Sequence, residues 1–182
     1  MNLPDGPFPE SERLTFRLPT KEDAAFYRQM MNEPDYHRFI ADRGIRTDAD
    51  AAGYIEEKTL AHFKKHGVGL WLVALKQTGE PLGACGLVVR DDLDYPDLGY
   101  AFCEKNRGQG YAIEAGQAVL DYVRLNMNLE RLCAITHLEN ARSARLLLKL
   151  GFVAEGRRYL ATYDDMSDYF LFHFNRSDQS NR

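Results

Sequence analysis

The stretch Arg107-Gly108-Gln109-Gly110-Tyr111-Ala112 has residue types that could hold an anion. Two glycines allow a tight turn and let backbone approach a ligand closely. The segment from there to about Met127 reads as a helix. A helix start leaves its first N–H groups without partners, with their dipoles pointing outward. A glycine turn feeding such a helix is a seat for phosphate, and Arg107 and Lys105 add positive charge. The bland alternative is a turn joining a strand to a helix. Two commoner phosphate loops do not fit. Ile113 stands where the dinucleotide fingerprint needs Gly or Ala, and no G-x-x-x-x-G-K-[ST] occurs.

A second stretch runs from Asn140 through Arg142, Ser143, Arg145, Leu147 and Lys149 to Leu150-Gly151-Phe152. Arg142, Arg145 and Lys149 recur at i, i+3 and i+7 and share one helix face. A solvated charged stripe and a contact with an anionic ligand both fit. Asn140 can cap this helix.

Together the two segments resemble the GNAT superfamily of acetyl-CoA-dependent N-acetyltransferases. The first matches the family's [QR]-x-x-G-x-[GA] loop at Arg107, Gly110 and Ala112. The second matches N-x-x-[SA]…L-G-F at Asn140, Ser143, Leu150, Gly151 and Phe152. The run Gly110-Tyr111-Ala112-Ile113-Glu114-Ala115 looks most like the branch named for ribosomal-protein N-terminal acetyltransferases. The resemblance covers roughly residues 12–175. It implies an α/β fold with a mixed, centrally splayed sheet flanked by helices and the cofactor's pantetheine arm in the gap. It implies acetyl-CoA as co-substrate and no metal. It assigns the pyrophosphate to Arg107, Gly108, Gln109, Gly110, Tyr111 and Ala112, the pantetheine arm to Asn140, and the ribose phosphate to the neighbourhood of Arg142, Arg145 and Lys149. The backbone N–H of Phe102 becomes the donor to the cofactor's thioester oxygen.

Acyl transfer to an amine makes further demands. An ammonium must lose a proton before it attacks, which calls for a carboxylate, an imidazole or a water relay. Asp97, at the start of the strand leading to the glycine turn, is the first candidate, because the resembling branch often carries an acid near there; Asp94 and Glu104 are alternatives. A loop aspartate without catalytic duty is the plain reading of each. The departing thiolate needs a proton or a hydrogen bond. Many members of the superfamily use a tyrosine where this chain has Leu147, so Ser143 is the candidate replacement. A small residue that lets its helix sit close to the sheet is the competing reading of Ser143. The expected activity is N-acetylation of a primary amine, on a small molecule or a protein N-terminus, by direct attack in a ternary complex. A non-catalytic acyl-CoA-binding module of the same fold is the alternative that Leu147 keeps open. A dinucleotide-dependent oxidoreductase is disfavoured by Ile113.

The elements that must position these groups follow from pattern. Arg13–Leu18 alternates as a strand, and Thr20 can cap a helix from Lys21 to about Asn32 with Asp23 as capping-box partner. Residues 34–44 read as a break between helices, and Thr47 or Asp48 caps a helix over about 48–65. Leu70–Leu75, Leu82–Val89, Leu98–Cys103, Arg131–His137, Phe152–Tyr159 and Asp168–Phe174 read as strands, with helices over about 111–127 and 140–150. Strands that come first as a meander and then alternate with helices suit a mixed sheet, antiparallel early and parallel near the glycine turn.

With 182 residues, the chain is expected to form one domain over 12–175, after a loose Pro/Gly-rich lead-in (1–11) and before a polar, frayed tail (176–182). Its net charge of −4 argues against nucleic acid as a partner. No apolar run approaches the ~18 residues needed to cross a bilayer, and the N-terminus lacks signal-peptide character. The expectation is therefore a cytoplasmic protein without membrane contact, a monomer or homodimer. Cys85, Cys103 and Cys133 each lie in an apolar run and read as reduced core residues. Acids cluster at Asp91, Asp92, Asp94 and Asp97 and at Asp164, Asp165 and Asp168. They read as solvated loop charge or as a field drawing in a cationic amine. His62 and His66 are spaced i, i+4, but no Glu follows His62, so zinc binding is not expected.

Overall fold

Leu70-Trp71-Leu72-Val73-Ala74-Leu75 is apolar at every position, and the structure shows why. In the computed structural model, which describes residues 3–174, this strand is covered on both faces. Trp71 and Val73 pack with the helix Tyr111–Asn126, whereas Leu72 and Ala74 pack with the N-terminal helices. Alternation disappears from a sequence when both faces of a sheet are buried.

Seven strands form one sheet: β1 (Leu14–Arg17), β2 (Leu70–Leu75), β3 (Pro81–Val88), β4 (Asp97–Phe102), β5 (Arg131–His137), β6 (Val153–Leu160) and β7 (Asp165–His173). Their order is β1-β2-β3-β4-β5-β7-β6. Neighbours pair antiparallel except β4 with β5, which are parallel. That parallel pair has a single point of register, Asp97 opposite Cys133, held by the Cys133 N–H donating to the Pro96 carbonyl at 3.0 Å. Beyond it the strands diverge, so the sheet splays at its centre.

Helices α1 (Ala24–Met31), α2 (Pro34–Phe39), α3 (Asp48–Tyr54) and α4 (Ala61–His66) come from the N-terminal part of the chain. A π-helical segment, Ile55–Leu60, joins α3 to α4. Tyr27, Met30, Met31, Ala51 and Ile55 form a core against one face of the sheet. On the other face α5 (Tyr111–Asn126) lays down Ala115, Val119, Leu120 and Val123, and α6 (Ala141–Lys149) adds Leu147. Burying one such aliphatic side chain contributes about 1.5–3 kcal/mol.

Local signals place the helix ends. Thr20 with Asp23, and Thr47 with Asp50, form capping boxes. Asn140 Oδ1 accepts the Ser143 N–H at 3.1 Å. Two expectations need amendment. The segment read as a break contains α2, with Pro34 in its first turn. The lead-in is anchored, since Leu3 and Phe8 pack against the core and Glu10 bridges Thr15. The expected frayed tail lies outside the described residues.

Candidate active site

The divergence of β4 from β5 opens a wedge-shaped cleft of about 880 Å³. Ladder alternation determines what β4 shows it. The Cys103 N–H donates to the Leu82 carbonyl of β3 at 3.1 Å. In an antiparallel ladder, backbone groups of successive residues point to opposite sides. The odd-numbered residues of β4 therefore face β3, and the backbone groups of Leu98, Tyr100 and Phe102 face the wedge. The Phe102 carbonyl accepts from Arg107 Nε at 3.2 Å, and its N–H lies on that same side.

The glycine turn lies at the far end of β4. Gly108 and Gly110 have φ of +77° and +80°, where L side chains are strained. Gly110 is the N-cap of α5, with no side chain capping the helix, so the first N–H groups open on the cleft end. The turn is braced from outside by residues that sequence reading missed. Arg13 donates through both terminal nitrogens to the Gln109 carbonyl (3.1 and 3.2 Å) and through Nε to Glu114 at 2.7 Å. Its guanidinium also lies 4.6 Å from the centre of the Tyr111 ring. Ser11 donates to the other Glu114 oxygen at 2.7 Å. Burial pulls the Glu114 carboxyl upward, but these donors outweigh it and hold it below its usual range.

Arg107 lines the wedge, but its guanidinium is committed elsewhere. Nη1 donates to Asp35 at 2.6 Å and Nη2 to Glu33 at 3.3 Å. Asp35 also accepts from Arg142 at 2.9 Å, so one carboxylate of α2 ties the glycine turn to the start of α6. Burial would raise the Asp35 carboxyl; Arg107 and Arg142 pull it below its usual value. Of the charged stripe, Arg145 and Lys149 are exposed, line the wedge and have no ion-pair partner among the described residues.

Ser143 lies half-buried on the first turn of α6, and its Oγ is 2.7 Å from the Tyr100 hydroxyl of β4. The Tyr100 hydroxyl can also donate to the Ser143 carbonyl, at 3.3 Å. Burial pushes the Tyr100 phenol well above its usual value, so it stays protonated. Leu147 is only 1% exposed and belongs to the core, so its position does not look into the cleft.

Asp97 forms the floor where β4 and β5 still touch. It is 2% exposed, and its Oδ2 accepts from Arg90 Nε at 2.9 Å. Oδ1 is buried without a side-chain partner, and the Ile135 N–H of β5 favours the ionised carboxylate from nearby. Burial raises its carboxyl above the ordinary carboxylate range, opposed by Arg90. Neither Asp94 nor Glu104 lines the wedge; Asp94 pairs with Arg158 at 3.0 Å and Glu104 is exposed. His62 is half-buried, and its Nε2 accepts the Val89 N–H at 3.2 Å; burial lowers its pKa to about 4. No cluster of three or more His, Cys, Asp or Glu suited to a metal ion occurs among the described residues. All three cysteines are free and buried. No helix among the described residues is long and apolar enough to cross a membrane.

A splayed sheet with a glycine turn at one end of its wedge defines a class, and comparison with known proteins agrees. The family model of the Acetyltransferase (GNAT) domain matches residues 13–153, and the chain belongs to that family. Among curated relatives, an N-acetyltransferase called p20 from Bacillus licheniformis is 28% identical over 166 residues, covering 89% of this chain and 92% of its own. The crystal structure of an acetyltransferase from Agrobacterium tumefaciens superposes with a TM-score of 0.76 at 26% identity, over 96% of this chain and 99% of that one. A ribosomal L7/L12 alpha-N-protein acetyltransferase in complex with coenzyme A gives a TM-score of 0.78 over 93% of this chain and 97% of its own. At 14% identity, that last likeness is one of fold alone. The protein is an acetyl-CoA-dependent acetyltransferase.

Proposed function

We propose that the chain moves an acetyl group from acetyl-CoA to a primary amine by direct attack in a ternary complex. The observation that carries this is a buried carboxylate, Asp97, in the same cleft that ends at the glycine turn. In this reading, backbone N–H groups of Gln109–Ala112 take the pyrophosphate, and Arg145 and Lys149 the ribose phosphate. Asn140 adds to the grip on the pantetheine arm while capping α6. The likeness of fold to a protein solved with coenzyme A supports a cofactor in this cleft.

In the chemical step the amine nitrogen attacks the thioester carbon. Asp97, its pKa raised by burial, takes one proton from the ammonium. The Phe102 N–H faces the carbonyl oxygen as negative charge develops on it. As the C–N bond forms and the C–S bond breaks, the thiolate accepts a hydrogen bond from Ser143, whose own oxygen is supported by Tyr100. The second proton of the nitrogen passes by way of the Ser143 hydroxyl to the thiolate, so that the neutral amide and the free thiol leave and Asp97 holds the first proton. Thiol release from acetyl-CoA over a panel of amines tests the reading. Turnover with at least one amine is expected. Binding of coenzyme A with no turnover of any amine would favour the non-catalytic acyl-CoA-binding module instead.

A further inference from the structure

The end of the wedge away from the glycine turn should meet the acceptor, and it carries charges of both signs. Asp92 accepts from the Thr162 N–H and hydroxyl, Asp94 pairs with Arg158, and Asp168 pairs with Arg157. Three of the acids expected to create an attracting field are thus engaged. This end of the cleft is lined by Tyr36, Phe39, Arg43, Arg90, Asp97 and Tyr163, together with Asp165, which has no ion-pair partner among the described residues.

Arg90 binds Asp97 through Nε and also interacts with the Tyr163 hydroxyl, and no second acid pairs with it among the described residues. Its guanidinium stands 5.3 Å from the centre of the Tyr163 ring. Arg43 is exposed and has no ion-pair partner among the described residues. The buried floor therefore presents a negative group directly beside a positive one, with a further cation on the outer wall. An α-amino acid has the complementary pair, an ammonium directly beside a carboxylate.

Resting on the acetyltransferase reading above, we propose that the acceptor carries a carboxylate next to its reacting amine, as an α-amino acid does. Asp97 receives the ammonium, while the terminal nitrogens of Arg90 and the Arg43 guanidinium receive the carboxylate. A planar guanidinium matches a carboxylate with two parallel hydrogen bonds. Phe39, Tyr36 and Tyr163 are left to contact the side chain.

The test compares thiol release from acetyl-CoA for α-amino acids, their carboxamides, the corresponding decarboxylated amines, a polyamine and short N-terminal peptides. The carboxylate-bearing amines should exceed their matched amides by about 10–100-fold in kcat/KM, the scale of a hydrogen bond to a charged group. Arg43→Ala should remove most of that margin by raising KM, with kcat little changed and the amides unaffected; Arg43→Lys should keep part of it. Arg90→Lys, which retains the charge beside Asp97, should also narrow the margin. Amides or decarboxylated amines that react as well as the acids would overturn the proposal and leave the acetyltransferase reading intact. A margin that survives both arginine changes would overturn the assignment to these residues. No turnover of any amine would sink both.

Discussion

The hydroxyls of Tyr100 and Ser143 lie 2.7 Å apart, joining the central strand to the first turn of α6 across the wedge. Tyr100 is a long way from Ser143 in sequence, and neither occupies the position at which many family members carry a tyrosine. The pair makes Ser143 a better donor than an isolated hydroxyl, because Tyr100 can donate to its oxygen as it donates onward. Ser143→Ala should lower kcat by about 10²-fold or more, the lower end of the scale for general acid–base catalysis. The loss should persist at high pH, where the amine is already neutral. Tyr100→Phe should give a smaller fall in kcat with coenzyme A affinity retained. Full rates in both variants, measured by thiol release, would show that the thiolate leaves without their help.

Asp97 gives a prediction with a pH sign. Burial raises its carboxyl, so kcat/KM should fall as pH drops through a value above the ~3.9 of an ordinary aspartate. Asp97→Asn should reduce kcat by roughly 10²–10⁴-fold. That loss should shrink as pH rises, because more of the acceptor is then already deprotonated. A rate profile for the variant parallel to the wild type at every pH would mean that water takes the proton.

Gly110 is a test of the proposed anion seat that spares the core. A Cβ there would stand 3.4 Å from Arg13 Nη2, on a backbone at φ +80°. Gly110→Val should strain the turn, displace the N–H groups of α5 and abolish the rise in melting temperature that coenzyme A produces in the native chain. Circular dichroism should still report a folded protein. An undiminished shift would remove the turn from the binding site.

Arg145 and Lys149 can be separated from Arg142, which is held by Asp35. The double change Arg145→Ala, Lys149→Ala should weaken coenzyme A more than dephospho-coenzyme A, and the difference should fade at high salt because both side chains are exposed. Equal losses for the two ligands, measured by calorimetry, would return the stripe to a merely solvated face.

What could be read from the chain, and what could not, divides by range. The capping boxes at Thr20 and Thr47 and the cap at Asn140 are local, and their residue types announce them. Helix α5 and the strands follow from periodicity. Helix α2 was hidden because its six residues span less than two turns and bury no side chain fully, which leaves only Pro34 and Asp35 as start signals. The partners of the site residues are long-range. Arg107 meets Asp35, Arg13 meets Glu114, and Tyr100 meets Ser143 only after the sheet has formed. The glycine turn was legible as the turn that opens α5, yet the fate of the Arg107 side chain was not, since a motif states a residue's type and not which neighbours compete for it. The burial of Asp97 was equally hidden, because a sequence rich in aspartates does not show which one a strand will carry inside.

The single point of contact between β4 and β5 also has a consequence for solvent exchange. Asp97, Gly99 and Ala101 turn their backbone groups to β3 and a full ladder, whereas Leu98, Tyr100 and Phe102 turn theirs to the wedge. Along this one strand, amide protons should therefore exchange with deuterium at two alternating rates, slow at Gly99 and Ala101 and fast at Tyr100 and Phe102. Filling the wedge with a ligand that offers carbonyl acceptors should slow the fast set and leave the slow set nearly unchanged, so that a strand that is two-faced when empty behaves as one uniform strand when occupied.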